Sequence, residues 1–91
     1  ARAPVSRYQV IIARRATKSL AGLQRREQQR VRAAIDLLAD EPRPPGCVAM
    51  AGEAHTYRVR VGVYRIVYEV IDDRLVVQVV RIGHRRDVYW H

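Results

Sequence analysis

Along residues 57–61 apolar and charged positions alternate strictly, with Tyr57, Val59 and Val61 on one side of an extended chain and Arg58 and Arg60 on the other. Gly62 and Val63 come next as a two-residue loop with the glycine first, the order a type II′ hairpin turn prefers. That loop pairs Val61 with Tyr64, sets Arg60 opposite Arg65 and Arg58 opposite Val67, and so gathers Arg58, Arg60 and Arg65 on one face. In the returning strand, residues 64–71, Tyr64, Ile66, Tyr68 and Val70 point to the core side. Asp72, Asp73 and Arg74 make the next turn, and residues 75–82 form a nearly continuous apolar run suited to the middle of a sheet. Gly83 is expected to end that strand, and residues 84–91 to continue as a short helix or packed tail.

The first half of the chain changes period. Residues 1–6 read as a loose tail and the β-branched run of residues 8–13 as a strand. Residues 16–23 suit a short helix ended by Gly22. Over residues 25–39 the spacing of Val31, Ala34, Ile35 and Leu38 is that of a helix with one face on a sheet. Arg25, Arg26, Arg30 and Arg32 then form a solvated face, with RNA contact as the less expected reading. The helix must stop before Pro42, Pro44, Pro45 and Gly46. Residues 47–55 are weakly patterned and read as loop with short extended pieces. The order β-α-α-β-β-β predicts an α+β fold: two helices packed on one face of a small, mainly antiparallel four-stranded sheet.

At 91 residues, 48% of them hydrophobic, the chain is expected to form a single domain over residues 1–91. The lone Cys47 makes no internal disulfide. No apolar run is long enough to span a membrane, and residues 1–7 lack the apolar centre of a signal peptide, so a cytoplasmic location is expected. Seventeen Lys plus Arg against nine Asp plus Glu give a net charge of +8, which favours polyanionic partners. Lys18 is the only lysine. A GC-rich genome would also enrich arginine; its placement is more informative than its number. Like charges directly opposite destabilise a hairpin, so the face carrying Arg60 and Arg65 is a natural seat for phosphates, which guanidinium forks grip bidentately.

The residues Tyr57-Arg58-Val59-Arg60, then Gly62-Val63-Tyr64-Arg65-Ile66-Val67-Tyr68, the strand after Leu75 and the end Gly83-His84-Arg85-Arg86-Asp87-Val88-Tyr89 resemble the RelE/ParE superfamily of bacterial toxins from toxin–antitoxin pairs. The resemblance covers essentially the whole chain. It implies a ribosome-dependent endoribonuclease that cuts messenger RNA in the A site by 2′-OH attack, with no metal and no small-molecule cofactor. It also implies a cognate antitoxin as partner. The alternative it carries is the ParE-like inhibitor of DNA gyrase, which shares the fold and lacks the basic and tyrosine constellation. Carried over by position, the catalytic set is Arg58, Arg60, Arg65, Arg85 and Tyr89, with His84 as a further candidate; Arg81, Arg86 and Trp90 join Arg58, Arg60 and Arg65 as RNA-binding candidates. Arginine stands at 58 and 60 where lysines are common in the nuclease branch.

Cleavage by a 2′-OH needs a base, cations for the phosphorane charge and an acid for the leaving oxygen. Arginine suits the middle role; with a pKa of roughly 12.5–13.8 it is a poor base at neutral pH. A phenol begins near pKa 10 and nearby cations lower it, whereas an imidazole begins near about 6.5. Tyr89 is the base favoured by the resemblance and His84 the rival by intrinsic acidity. The plainer readings stand beside these. Any single outward arginine can be solvated surface, Tyr57, Tyr64 and Tyr68 suit the core, and Trp90 can either stack on a base or pack on the sheet.

Overall fold

The computed structural model describes residues 7–84. The elements are β1 (Gln9–Ile12), α1 (Arg14–Ala21), α2 (Arg25–Leu38), β2 (Val48–Ala49), β3 (Thr56–Val61), β4 (Tyr64–Ile71), a 3₁₀ turn (Asp72–Arg74) and β5 (Val76–His84). They build an α+β fold with one sheet in the order β1-β5-β4-β3-β2. The sheet is five-stranded rather than four-stranded, because Val48–Ala49, expected as loop, pairs with Tyr57 and Arg58 on the edge of β3. It is also mixed: β1 runs parallel to β5, while the other neighbours are antiparallel. Gly83 does not end β5, which continues to His84.

Both helices lie on one face. Ala16 and Leu20, one turn apart on α1, and Val31, Ile35 and Leu38 of α2 are buried against Ile66, Tyr68 and Val70 of β4 and Val77, Val79 and Ile82 of β5. These are the apolar positions that the helix and strand periods select, with Ala34 partly buried beside them. Truncating a fully buried aliphatic such as Ile35 to alanine should cost about 2–5 kcal/mol. Helix α2 ends at Leu38, before Pro42, as expected from the missing amide hydrogen of proline.

One irregularity positions the opposite face. Val77 and Val79 point into the core, so strict alternation would send Arg81 inward and Ile82 out. Instead the β4–β5 register shifts between Val67 and Tyr68: Tyr68 pairs with Val79, Val67 with Arg81, and Val80 is the additional residue. That bulge returns Ile82 to the core at 3% exposure and turns Arg81 to the side away from the helices.

Candidate nucleic-acid interface

The hairpin register is the one the two-residue loop dictates: Val61 pairs with Tyr64, Arg60 with Arg65 and Arg58 with Val67. Gly62 has φ +62° and Val63 has no positive φ, the pattern of a type II′ turn, so glycine is required at the first loop position. A side chain at Gly62 would also meet the Arg30 guanidinium at 3.3 Å, which places this α2 arginine over the hairpin tip. On the face away from the helices, one row across the sheet runs Arg58, Val67, Arg81 and the next runs Arg60, Arg65, Gly83. The structure therefore brings Arg58, Arg60, Arg65 and Arg81 onto a common face.

Their exposures differ, and one expectation changes. Arg65 is not on an open surface: it is 7% exposed, at the floor of the face. It sits on β4, the middle strand, with β3 and β5 on either side and glycine at its β5 partner position, where no side chain competes for the space. Arg60 is exposed and Arg58 half-buried, so the charge is graded from a seated Arg65 to a solvated Arg60. Pro45, Gly46 and Val48 close over one side and make a cleft of about 320 Å³ with Arg58, Val59, Arg60 and Arg65.

His84 lies elsewhere. Its partner is Tyr64, and the two rings meet edge-on at 6.0 Å between centroids. Tyr64 packs against the core cluster, so the imidazole is on the helix side of the sheet, opposite the face of Arg65. The pairing with Tyr64, which the bulge at Val80 sets, thus puts this candidate away from the arginine face. Arg85, Arg86, Tyr89 and Trp90 lie outside the described residues, as do the tail at residues 1–6 and the helix or tail expected beyond His84. Tyr57 and Tyr68 stack at 5.9 Å, Tyr68 fully buried, which places both with the core, as the plainer reading of these tyrosines expects.

A second polar cluster had no local signature in the sequence. The Arg43 guanidinium donates to both carboxylate oxygens of Asp72, at 2.7 and 3.3 Å, and through Nε to the Tyr57 hydroxyl at 3.0 Å. It also lies 5.2 Å from the Tyr57 ring centre. The Tyr8 hydroxyl donates to Asp72 at 2.7 Å, and the Tyr68 hydroxyl to the Pro42 carbonyl at 2.8 Å. The hydrogen bond from Arg43, then that from Tyr8, holds the Asp72 carboxyl below the usual carboxylate range. Asp72 in turn raises the Tyr8 phenol and the Arg43 guanidinium, and burial pushes the Tyr68 phenol well above its ordinary value. These pairs are up to 64 residues apart in the chain, so no spacing rule could find them.

Among the described residues no group of three or more His, Cys, Asp or Glu side chains is placed to hold a metal ion, and no helix is long and apolar enough to cross a membrane.

No curated protein sequence matches the chain significantly. Solved structures do. The RelBE2 toxin–antitoxin complex from Mycobacterium tuberculosis matches with TM-score 0.77 and 29% identity, over 92% of this chain and 98% of that one. The RelE–RelB complex from Pyrococcus horikoshii matches with TM-score 0.75 and 27% identity, over 89% and 98% of the two chains. The isolated E. coli RelE toxin matches with TM-score 0.75 and 25% identity, over 85% and 83%. Residues 10–89 match the family described as the ParE toxin of type II toxin–antitoxin systems, parDE. With the family match spanning most of its length and RelE toxins sharing its fold, the chain belongs to the RelE/ParE superfamily and is a RelE-like toxin of a toxin–antitoxin system.

Proposed function

We propose that this toxin is a ribosome-dependent endoribonuclease that cuts messenger RNA in the A site and so stops translation. The observation that carries the reading is the convergence of Arg58, Arg60 and Arg65 on one cleft. A polyanion relieves the repulsion of that arrangement, and a guanidinium seated at its floor is held in place before substrate arrives. In the reaction the substrate's 2′-oxygen loses its proton and attacks the adjacent phosphorus. The bond to the 5′-oxygen breaks, that oxygen takes up a proton, and a 2′,3′-cyclic phosphate remains. Arg58, Arg60 and Arg65, joined by Arg85, neutralise the phosphorane charge, and Arg81, Arg86 and Trp90 bind the flanking RNA. Tyr89 is the base, since a cation close to a phenol favours its phenolate. His84, on the other face of the sheet, is the weaker candidate. No metal or organic cofactor is assigned a part, and the location is the cytoplasm, where the ribosomes are.

The partner is a cognate antitoxin, as in the RelE–RelB complexes that share this fold. An acidic, partly disordered segment that folds as it covers the basic surface suits the net charge of +8.

The second reading, a non-enzymatic gyrase inhibitor, is favoured by the description of the matching family as ParE toxin. A reconstituted translation extract given the purified protein, with mapping of messenger RNA ends afterwards, separates the two. Cuts in phase with codons are expected; intact messages together with arrested gyrase would overturn the nuclease.

A further inference from the structure

The loop between α2 and β2 is one wall of the arginine cleft, and side chains fasten it at its middle. Residues 42 and 43 are tied to the far end of the sheet: the Pro42 carbonyl accepts from Tyr68, and Arg43 spans Asp72 and Tyr57. Immediately after, Cys47 donates its amide hydrogen to the Pro44 carbonyl at 3.0 Å, closing a turn that presents Pro45 and Gly46. Val48 then pairs with Arg58 itself. Pro45, Gly46 and Val48 are the residues that face Arg58, Arg60 and Arg65 across the cleft.

The geometry points to Arg43 as a positioning residue: with Asp72 and Tyr57 it clamps residues 44–48 as the cleft wall that holds RNA against Arg58, Arg60 and Arg65. This rests on the nuclease reading of the same cleft. The Arg43 guanidinium is engaged by other parts of the protein. Both terminal nitrogens are committed to Asp72 and Nε to Tyr57, so its charge is engaged inside the protein rather than offered to phosphate. A bidentate fork with a third hydrogen bond is also the form of exposed ion pair that fixes geometry, where single surface pairs contribute little. Asp72 belongs to the turn after β4 and Tyr57 to β3, so the clamp ties the wall to the two strands that supply Arg58, Arg60 and Arg65. Wall and floor then move as one body. Neither end of the clamp shows in the sequence as more than a loop arginine and a turn aspartate.

The test compares Arg43→Ala and Asp72→Asn with Arg58→Ala in the full-length protein. Misplacing a binding wall by about 1 Å can cost about 10² in rate. Arg43→Ala and Asp72→Asn are both expected to slow single-turnover cleavage on programmed ribosomes by about 10-fold to 10²-fold, at an unchanged half-saturating ribosome concentration. Loss through unfolding would instead lower the amplitude of cleavage and leave its rate. Both variants should leave the salt dependence of RNA affinity as in the wild type, whereas Arg58→Ala should flatten its logarithmic slope by about 0.7. Cys47, half-buried within the clamped loop, supplies a readout independent of activity: its reaction with a thiol reagent should quicken several-fold in both clamp variants and not in Arg58→Ala. Wild-type cleavage by Asp72→Asn, or a flattened salt slope in Arg43→Ala, would overturn the proposal and make Arg43 a phosphate contact. Should the wild type cut no RNA, the nuclease reading fails, and the Cys47 rates alone decide whether the clamp holds the wall.

Discussion

At the scale of single residues, the informative contrast is between Arg65 and Arg60, directly opposite each other in the hairpin yet one buried and one solvated. A guanidinium at 7% exposure is held by its surroundings and needs little reorganisation to meet a phosphate. Arg65→Ala should therefore lower single-turnover cleavage by about 10²–10³, and Arg65→Lys should recover only part of it, because an ammonium restores the charge without the planar fork. Cleavage assays on programmed ribosomes check both. The base is tested the same way. Tyr89→Phe should lose about 10²–10⁴ in rate with ribosome binding unchanged, and the wild-type rate should keep rising above pH 7 as more phenolate forms. His84→Gln should be mild, since that imidazole packs edge-on against Tyr64 across the sheet from Arg65. Wild-type cleavage by Tyr89→Phe would end the assignment.

At the scale of elements, the bulge in β5 decides which side chains can take part. Removing Val80 would take out the extra residue and keep the pairs Tyr68–Val79 and Val67–Arg81, so Arg81 stays on the face away from the helices and Ile82 in the core. The deletion variant, like Val80→Ala, is therefore expected to retain a cooperative thermal transition in a melting experiment; its loss would show that the bulge itself holds β4 to β5. The link between the α2–β2 loop and the β4–β5 turn carries a pH signature. The Asp72 carboxyl is held below its ordinary range by Arg43 and Tyr8, so the native state binds its proton less readily than the unfolded chain does. Its contribution is complete above the unfolded value of about 3.9 and is lost as pH falls through the lower native value. Urea midpoints should accordingly show wild type ahead of Asp72→Asn by a constant margin above about pH 5, closing in more acid solution. A margin that persists at the acid end would mean the carboxylate is not the source.

For the whole molecule, the charge of +8 is not spread evenly in effect. Helix α2 carries its arginines on its exposed side, and Arg30 reaches the hairpin tip, but the sheet face concentrates Arg58, Arg60 and Arg65 at one cleft, with Arg81 on the same face. If three to four of them contact phosphates, log affinity for single-stranded RNA should fall against log salt with a slope of roughly −2 to −3, about −0.7 per contact. A slope near zero over a several-fold range of salt would remove phosphate binding from the account.

Features that short-range periods govern were legible from the residues alone. Alternation over residues 57–61 and a glycine-first loop set the hairpin register, and with it Arg58, Arg60 and Arg65 on one face. The spacing of Val31, Ile35 and Leu38 set the buried stripe of α2. The motif from Tyr57 to Tyr68, with Gly83 to Tyr89, carried the family. The rest needed the folded chain, because each remaining feature depends on segments distant in sequence. The parallel pairing of β1 with β5 and the small edge strand β2 come from which surfaces are left to cover, as Val48 and Ala49 have no strand pattern of their own. The extra residue Val80 is invisible in an apolar run and becomes defined only when Val67 and Tyr68 pair across from it. Arg65 becomes buried because its strand is central, and Arg43 meets Asp72 because the α2–β2 loop crosses the end of β4. A period reports which face a residue occupies; what closes over that face is set by the chain that returns to it.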